Sequence, residues 1–134
     1  MLEGVTFVEN GHVDVDELNA LYRLIGWDRH GRRTPAETAQ MLRASHYYIS
    51  AHLDGRLVGF ARVCGDPYVV QLLDVITHPS VRRRGIATRC MQGVAAHVDG
   101  ARYVSVTCTA APALHEFYAR FGFRPAADAT LQRR

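Results

Sequence analysis

The chain falls into stretches of two textures, one with apolar residues at helical spacing and one rich in aromatic and branched residues. Val5 to Glu9 reads as a short first strand, ended by the turn signal Asn10-Gly11. Asp14 or Asp16 can then cap a helix in which Leu18, Leu21, Tyr22 and Ile25 recur at helical spacing, with Gly26 at its end. A second helix opens at Thr34-Pro35-Ala36-Glu37. Thr34 suits the N-cap, Pro35 the first helical position, and Glu37 can close a capping box. Its apolar face uses Ala39, Met41 and Leu42.

The texture changes at His46 to Leu53, a strand by composition. Asp54-Gly55 accepts positive φ in a tight hairpin turn, and Arg56 to Cys64 returns as the partner strand. Gly65-Asp66-Pro67 turns the chain again, and Tyr68 to Thr77 forms a third strand. Gly85 to Val98 is a helix with Ile86, Cys90, Val94 and Val98 near one face. Tyr103 to Cys108 is β-rich, Pro112 to Arg120 is helical and closed by Gly122, and Phe123 onward reads as a last short strand. The order β-α-α-β-β-β-α-β-α-β is that of an α/β fold, a mixed central sheet flanked by helices.

Composition narrows the setting. At 134 residues and 48% hydrophobic, the chain suits a single domain over 1–134 with a packed core. All sixteen basic side chains are arginine, against thirteen Asp and Glu, for a net charge of +3. Without lysine there is neither Schiff-base chemistry nor a P-loop NTPase site. Cys64, Cys90 and Cys108 contain no Cys-x-x-Cys pair and read as reduced thiols, and no metal site is expected. No signal peptide is visible, and no apolar run approaches the ~20 residues of a membrane span, so a cytoplasmic protein is expected. The arginine-only, alanine-rich usage points to a GC-rich bacterial genome.

The chemistry concentrates between Asp74 and Thr88. A strand runs into a proline-containing loop, then into Arg82-Arg83-Arg84-Gly85, and directly into a helix. A helix N-terminus exposes unpaired N–H groups and carries positive partial charge, so it suits an anion. Gly85 and Ala87 keep the approach free of bulky side chains, and the arginines add fixed charge. Taken alone, the stretch reads equally as a solvated basic loop before an ordinary helix.

Arg82-Arg83-Arg84-Gly85-Ile86-Ala87 resembles the Arg/Gln-x-x-Gly-x-Gly/Ala signature of the GNAT N-acetyltransferase superfamily. Phe117-Tyr118-Ala-Arg-Phe-Gly122-Phe123 is similar to its second signature, Phe-Tyr-x-x-x-Gly-Phe, and the likeness covers roughly Tyr48 to Pro125. The resemblance implies acetyl-CoA as acetyl donor. Val75, Ile76 and Thr77 would bond the pantetheine arm through main chain. Arg83, Arg84, Gly85, Ile86, Ala87 and Thr88 would offer N–H groups to the pyrophosphate, with Arg82 at the signature's first position. Tyr118 would protonate the departing CoA thiolate; its other reading is a core aromatic beside Leu114 and Phe117.

Three departures from the family pattern matter. Ala111 stands where many members carry asparagine, and Gln71 where a strand glutamate often serves as base. Asp74, on the same strand, can serve as the base, directly or through water, or is a structural carboxylate. About a dozen residues follow Gly122. The sheet is therefore expected to lack its last strand or to borrow one from a second subunit in a homodimer.

The implied activity is direct acetyl transfer to a primary amine of a small molecule, arylalkylamine- or amino-sugar-like. The loop Gly26 to Arg33 with Trp27, and the region of Tyr47 and Tyr68, are expected to line the acceptor side. A main-chain N–H such as that of Ile76 would stabilise the oxyanion. His78 and His115 read as loop and helix-surface residues first. His46 and His52 share a strand face, yet no carboxylate or cysteine accompanies them at metal spacing. Two rival readings are a non-catalytic acyl-CoA-binding module, which Gln71 and Ala111 would allow, and a basic nucleic-acid binder. The modest net charge argues against nucleic acid, and no membrane partner is expected.

Overall fold

The computed structural model describes residues 2–127 and 131–133. Five strands form one sheet in sequence order: β1 (Val5–Glu9), β2 (Tyr47–Leu53), β3 (Arg56–Gly65), β4 (Val69–Thr77) and β5 (Ser105–Cys108). The first four pair antiparallel and β5 lies parallel to β4. The helices are α1 (Val15–Leu24), α2 (Pro35–Ala44), α3 (Ile86–Gly100) and α4 (His115–Ala119), the last preceded by a 3₁₀ turn over Pro112–Leu114. Among the described residues, no helix is long and apolar enough to cross a membrane.

Local chemistry sets these elements. Of the two candidate caps of α1, Asp14 is the one used, accepting from the N–H groups of Asp16 at 2.9 Å and Glu17 at 3.1 Å. Thr34 caps α2 by accepting from Glu37 N–H at 3.2 Å, and Glu37 answers by accepting the Thr34 hydroxyl at 2.9 Å. The box thus closes between side chains. Asp54 and Gly55 take φ of 51° and 77°, as a tight β2–β3 hairpin turn requires.

The sheet separates two core layers. On one face Ile49, Ala51, Val63, Val70 and Leu72 pack against Ile86, Cys90, Met91 and Val94 of α3. On the other, Leu57, Phe60 and Ile76 meet Leu18, Leu21 and Tyr22 of α1 and Leu42 of α2. A buried polar bond that apolar periodicity does not flag ties the two N-terminal helices together, Thr38 Oγ1 donating to Asn19 Oδ1 at 2.6 Å. The start of α3 approaches β3 closely over Gly59, where a Cβ would lie 2.6 Å from Ile86 Cγ2. Gly93 lets the same helix sit against Tyr47 and Ile49.

The feature that shapes the rest is an irregularity in β4. Phe60 stands opposite Ile76, but Arg62 stands opposite Leu73, so Ala61 faces two residues, Asp74 and Val75. This is a β-bulge, and Asp74 adopts the left-handed φ of 57° that it demands. Pairing with β5 runs from Val69–Ser105 to Leu72–Cys108 and stops just before the bulge. From Leu73 to Thr77, β4 keeps β3 on one side and, among the described residues, has no strand on the other.

The strand expected from Phe123 is not formed over 123–127. Phe121 and Phe123 N–H both donate to Tyr118 C=O, at 3.0 and 3.2 Å, and Gly122 takes φ of 92°. The chain is held in a helix-end turn there, and Pro125 has no N–H to offer a ladder. The rest of that expected strand, at 128–130 and 134, lies outside the described residues. The described sheet ends at β5.

At the far end of the sheet from the bulge, a polar cluster joins three elements. Tyr103 Oη lies 3.0 Å from His46 Nδ1 and 2.8 Å from His97 Nε2, while His46 Nε2 lies 3.0 Å from Gly65 C=O. A carbonyl only accepts, so His46 carries its proton on Nε2 and accepts from Tyr103; His97 Nε2–H then donates to Tyr103. His97 stacks on Tyr47 at 4.8 Å, and Tyr47 donates to Glu9 at 2.6 Å. Burial, and then His46, lower the His97 pKa, with Glu9 opposing. A histidine held neutral stabilises the fold above its unfolded pKa of about 6.5 and loses that contribution as pH falls below it. Asp28 and Asp66 are also lowered, by hydrogen bonds from Arg32 and Val69 N–H first, and so act only in the carboxylate range. Urea unfolding between pH 7.5 and 5 should therefore show stability falling with pH, and His97→Gln should flatten that slope.

Candidate active site

After Thr77 the chain is fastened by His78 N–H donating to Val58 C=O at 2.8 Å. A 3₁₀ turn follows over Pro79–Val81, capped by His78 Nδ1, which accepts from Ser80 N–H at 3.1 Å. The loop expectation for His78 therefore acquires a structural task. Val81 is buried and draws the loop down, which leaves Arg82, Arg83 and Arg84 exposed and without an ion pair among the described residues. Arg83 and Gly85 both take left-handed φ, 65° and 85°. Such turns aim successive N–H groups the same way, into a concavity that suits an anion.

Gly85 is also the N-cap of α3, and no side chain caps that end. The first turn closes with Arg89 N–H on Gly85 C=O at 3.0 Å, leaving the N–H groups of Ile86, Ala87 and Thr88 without intrahelical acceptors. The space above Gly85 is open: a Cβ there would meet only Leu2 Cδ2, at 3.9 Å. The predicted residues 82–88 thus form one seat, and the half-strand Val75, Ile76 and Thr77 leads into it. The slot begins where β5 departs. These residues fit a diphosphate joined to an extended, main-chain-bonded arm.

Tyr118 stands on α4. Its ring packs edge-on against Phe117 at 5.1 Å and Phe123 at 6.2 Å. It lines a cleft of about 610 Å³ with Val94 and Val98 of α3, Cys108 of β5, Thr109 and Ala110. Burial raises the Tyr118 pKa, and the neighbouring Cys108 adds to the rise. The phenol therefore keeps its proton and is a donor. Ala111 caps the 3₁₀ turn through main chain alone, its C=O accepting from Leu114 N–H at 2.8 Å, so the turn forms without the asparagine. His115 is exposed and bonds Ala110 C=O at 3.2 Å.

Asp74 lies at the vertex of the slot and is not a lone carboxylate. Its Oδ2 accepts from Arg62 Nε at 2.5 Å and from Tyr22 Oη at 2.5 Å. The guanidinium of Arg33 sits 3.4 Å above the Tyr22 ring. Burial first, then the charge of Asp74, raise the Tyr22 pKa far above the ordinary phenol value. Burial works against the charge of Arg62, but the Asp74 hydrogen bond and charge prevail and raise its pKa. Neither Tyr22 nor Arg62 stands out in the sequence as a site residue. Tyr22 reads there as one apolar position of α1, and only the fold joins it to a residue on β4. Gln71 is exposed on β4, opposite Cys64 and Thr107.

The expected acceptor side is partly revised. Tyr47 is 3% exposed and stacked on His97 in the α3 layer, so it does not line that side. Strand alternation turns it to the opposite face from Tyr48. Trp27 and Tyr68 are 56% and 65% exposed. The loop 25–34 is ordered by its own bonds: Trp27 N–H donates to Tyr22 C=O at 3.0 Å, and buried Asp28 accepts from Arg32 and Arg33 N–H at 2.9 and 3.1 Å. Arg29 and Arg32 face solvent while Arg33 is half-buried. Among the described residues no group of three or more His, Cys, Asp or Glu could hold a metal ion.

Comparison with known proteins adds the following. The family model for the acetyltransferase (GNAT) domain matches residues 17–134. A histone acetyltransferase TAP1 of Glycine max is 26% identical over 91% of this chain, which spans 57% of that protein's length. The fold matches a probable acetyltransferase of meticillin-resistant Staphylococcus aureus with a TM-score of 0.80, at 20% identity, covering 97% of this chain and 98% of that one. It also matches the aminoglycoside N-acetyltransferase AAC(6')-Iy, solved with a CoA-based bisubstrate analogue, with a TM-score of 0.72, at 20% identity and 97% of each chain.

A seat made of main chain makes a sharp prediction. Gly85→Val forces a branched residue into φ of 85° and fills the open space over the helix start. The added side chain occupies the space an anion would take, so calorimetric titration should show CoA affinity down about tenfold or more. The backbone strain, ~1–3 kcal/mol, acts on the fold itself and should lower the melting temperature by several degrees.

Proposed function

The chain belongs to the GNAT acetyltransferase family, whose members are acyltransferases that use acetyl-CoA, and from that membership we propose that it carries the acetyl group of acetyl-CoA directly to a primary amine of a small molecule. One observation carries the reading. The pairing of β4 with β5 ends at Leu72–Cys108, and the half-strand released there runs straight to an uncapped helix N-terminus. An extended thioester arm needs an edge of main chain to bond, and its diphosphate needs N–H groups at the end of that edge. Val75 and Thr77 supply the first, and Ile76 between them holds the half-strand to β3. Arg83, Arg84, Gly85, Ile86, Ala87 and Thr88 supply the second, with Arg82 beside them.

In this reading the acceptor amine attacks the thioester carbonyl from the side of the 25–34 loop. His78 N–H donates to Val58 C=O and Ile76 pairs with Phe60, so alternation turns Ile76 N–H into the β3 ladder. The N–H of Val75 or Thr77, on the open side, bonds the developing oxyanion. Tyr118, kept protonated by burial, gives its proton to the departing thiolate. Both hydrogen bonds to Asp74 fall on Oδ2, and Oδ1 takes up the amine proton directly or through water. Cys90 and Cys108 are not used: Cys90 is buried, and burial raises the pKa of Cys108, which disfavours a thiolate nucleophile at either and a covalent acetyl-enzyme there.

For the acceptor we propose an amine with an apolar or ring-shaped body, arylalkylamine- or amino-sugar-like. Support comes from the exposed aromatic faces of Trp27 and Tyr68, which offer stacking surfaces to such a body. We also propose that residues 1–134 act as a single domain in the cytoplasm, where the three free cysteines stay reduced. The outer edge of β5 has no strand partner among the described residues, which favours a homodimer. Gln71 and Ala111 favour a second reading, a module that binds acyl-CoA without turnover.

The test combines acetyl-CoA with a panel of amines and follows free thiol together with acetylated product. Turnover with any amine removes the binding-module reading. Tyr118→Phe should then lower kcat on the order of 10²-fold while acetyl-CoA affinity stays within about twofold, since a general acid acts only in the transition state. If affinity and kcat fall together, the tyrosine is structural.

A further inference from the structure

Tyr22 is wholly buried, yet its hydroxyl ends on a charge. For packing alone phenylalanine would serve at this position in α1. Three separate groups hold the residue. Its hydroxyl donates to Asp74 Oδ2 at 2.5 Å, on the bulge of β4. Its carbonyl accepts from Trp27 N–H at 3.0 Å, and its ring carries the guanidinium of Arg33 at 3.4 Å. The Trp27 ring lies 6.4 Å away, tilted by 48°. Two of the three groups belong to the 25–34 loop and one to the strand defect that opens the slot.

Among the described residues no hydrogen bond of the loop itself reaches the sheet. Its other bonds run to the flanking helices, Gly26 N–H to Arg23 C=O at 3.1 Å and Arg33 Nη1 to Met41 Sδ at 3.6 Å. Asp28 ties the loop to itself through Arg32 and Arg33 N–H, which makes it a compact body. Gly26 and Gly31, at φ of 86° and 62°, sit within it as points where the backbone turns sharply. Tyr22 is where the attachments of this body meet β4. Arg62 holds the other side of the same carboxylate oxygen at 2.5 Å, so the acceptor of the Tyr22 bond is itself fixed.

We infer that Tyr22 is a positioning residue, fastening the 25–34 loop to the Asp74 bulge so that the acceptor wall and the mouth of the cofactor slot keep one fixed geometry. The role of the loop as acceptor wall rests on the acetyltransferase reading; the fastening does not. The bond is charge-assisted and largely shielded from water, and such bonds are the ones whose loss is felt.

Trp27 is the only tryptophan in the chain, so its fluorescence reports the loop alone. Tyr22→Phe keeps the ring and removes the bond. Its Trp27 emission should shift and acrylamide quenching should change, while acetyl-CoA affinity stays within about twofold. Arg33→Gln acts from outside the core and should alter Trp27 in the same direction without lowering the melting temperature. With phenylethylamine and glucosamine as probe amines, Tyr22→Phe should raise the amine KM about tenfold and change kcat less, the split expected when one charged hydrogen bond that orients the acceptor is lost. Unchanged Trp27 emission and quenching in either variant overturns the fastening, as does a parallel loss of acetyl-CoA affinity, which marks a core role only. An unchanged amine KM overturns the acceptor half. Fluorescence needs no turnover, so failure of every amine to react counts against the acetyltransferase reading and leaves the loop readout standing.

Discussion

One extra residue in β4 governs the molecule. A strand paired on both sides has no free main chain, and a slot for an extended ligand cannot be cut into it without breaking hydrogen bonds. The bulge at Asp74 supplies the break at the place where it is needed. It turns the strand, ends the β5 ladder at Leu72–Cys108, and leaves residues 73–77 paired, among the described residues, with β3 alone. The left-handed φ of Asp74 is a conformation that most residues take reluctantly, and aspartate is among the side chains that tolerate it. The same carboxylate then recruits Arg62 and Tyr22, which stabilises the bulge that placed it there. Conformation and electrostatics thus support each other at one residue.

The sequence was most legible where structure is local. The helix start at Gly85 could be read because a strand, a proline loop, three arginines and a glycine follow one another directly, and a helix N-terminus needs only its own residues. The caps at Asp14 and Thr34 were legible for the same reason. The Asp74 network was not, because Tyr22 and Asp74 are 52 positions apart and meet only after α1 docks on the sheet. Hydrophobic periodicity places Tyr22 in a core and is silent about its hydroxyl. Tyr47 fails differently: alternation along β2 gives it a face but does not say which face α3 covers, and it lies under α3. Over 123–127 the expected strand does not form, because Phe123 N–H is committed to Tyr118 C=O and Pro125 has none to give.

An all-arginine complement of cations could suggest one polyanionic partner. The structure distributes these side chains by chemistry instead. Arg62 is half-buried, and its planar group binds a carboxylate in a site where a long, hydrated ammonium would fit poorly. Arg33 spreads its face over an aromatic ring, an arrangement guanidinium favours. Arg82, Arg83 and Arg84 are exposed beside the uncapped start of α3. Five of the sixteen arginines thus divide among a bulge anchor, a loop clasp and a charged rim.

The two sides of the slot are built to different standards, and chemistry explains why. The β4 side is rigid: the bulge is pinned, Ile86 is packed over Gly59, and the residues offering N–H groups cannot shift without moving α3. The α4 side is a five-residue helix whose aromatic cluster, Phe117, Tyr118, Phe121 and Phe123, packs within itself and lies half-buried over α3 and β5. Groups that bond a ligand along its length gain from being fixed, because each lost degree of freedom is settled before binding. A proton donor has to reach one leaving atom at one moment, and what it needs above all is to remain protonated. In the role proposed for Tyr118, burial beside Cys108 does that without demanding the stiffness of the strand.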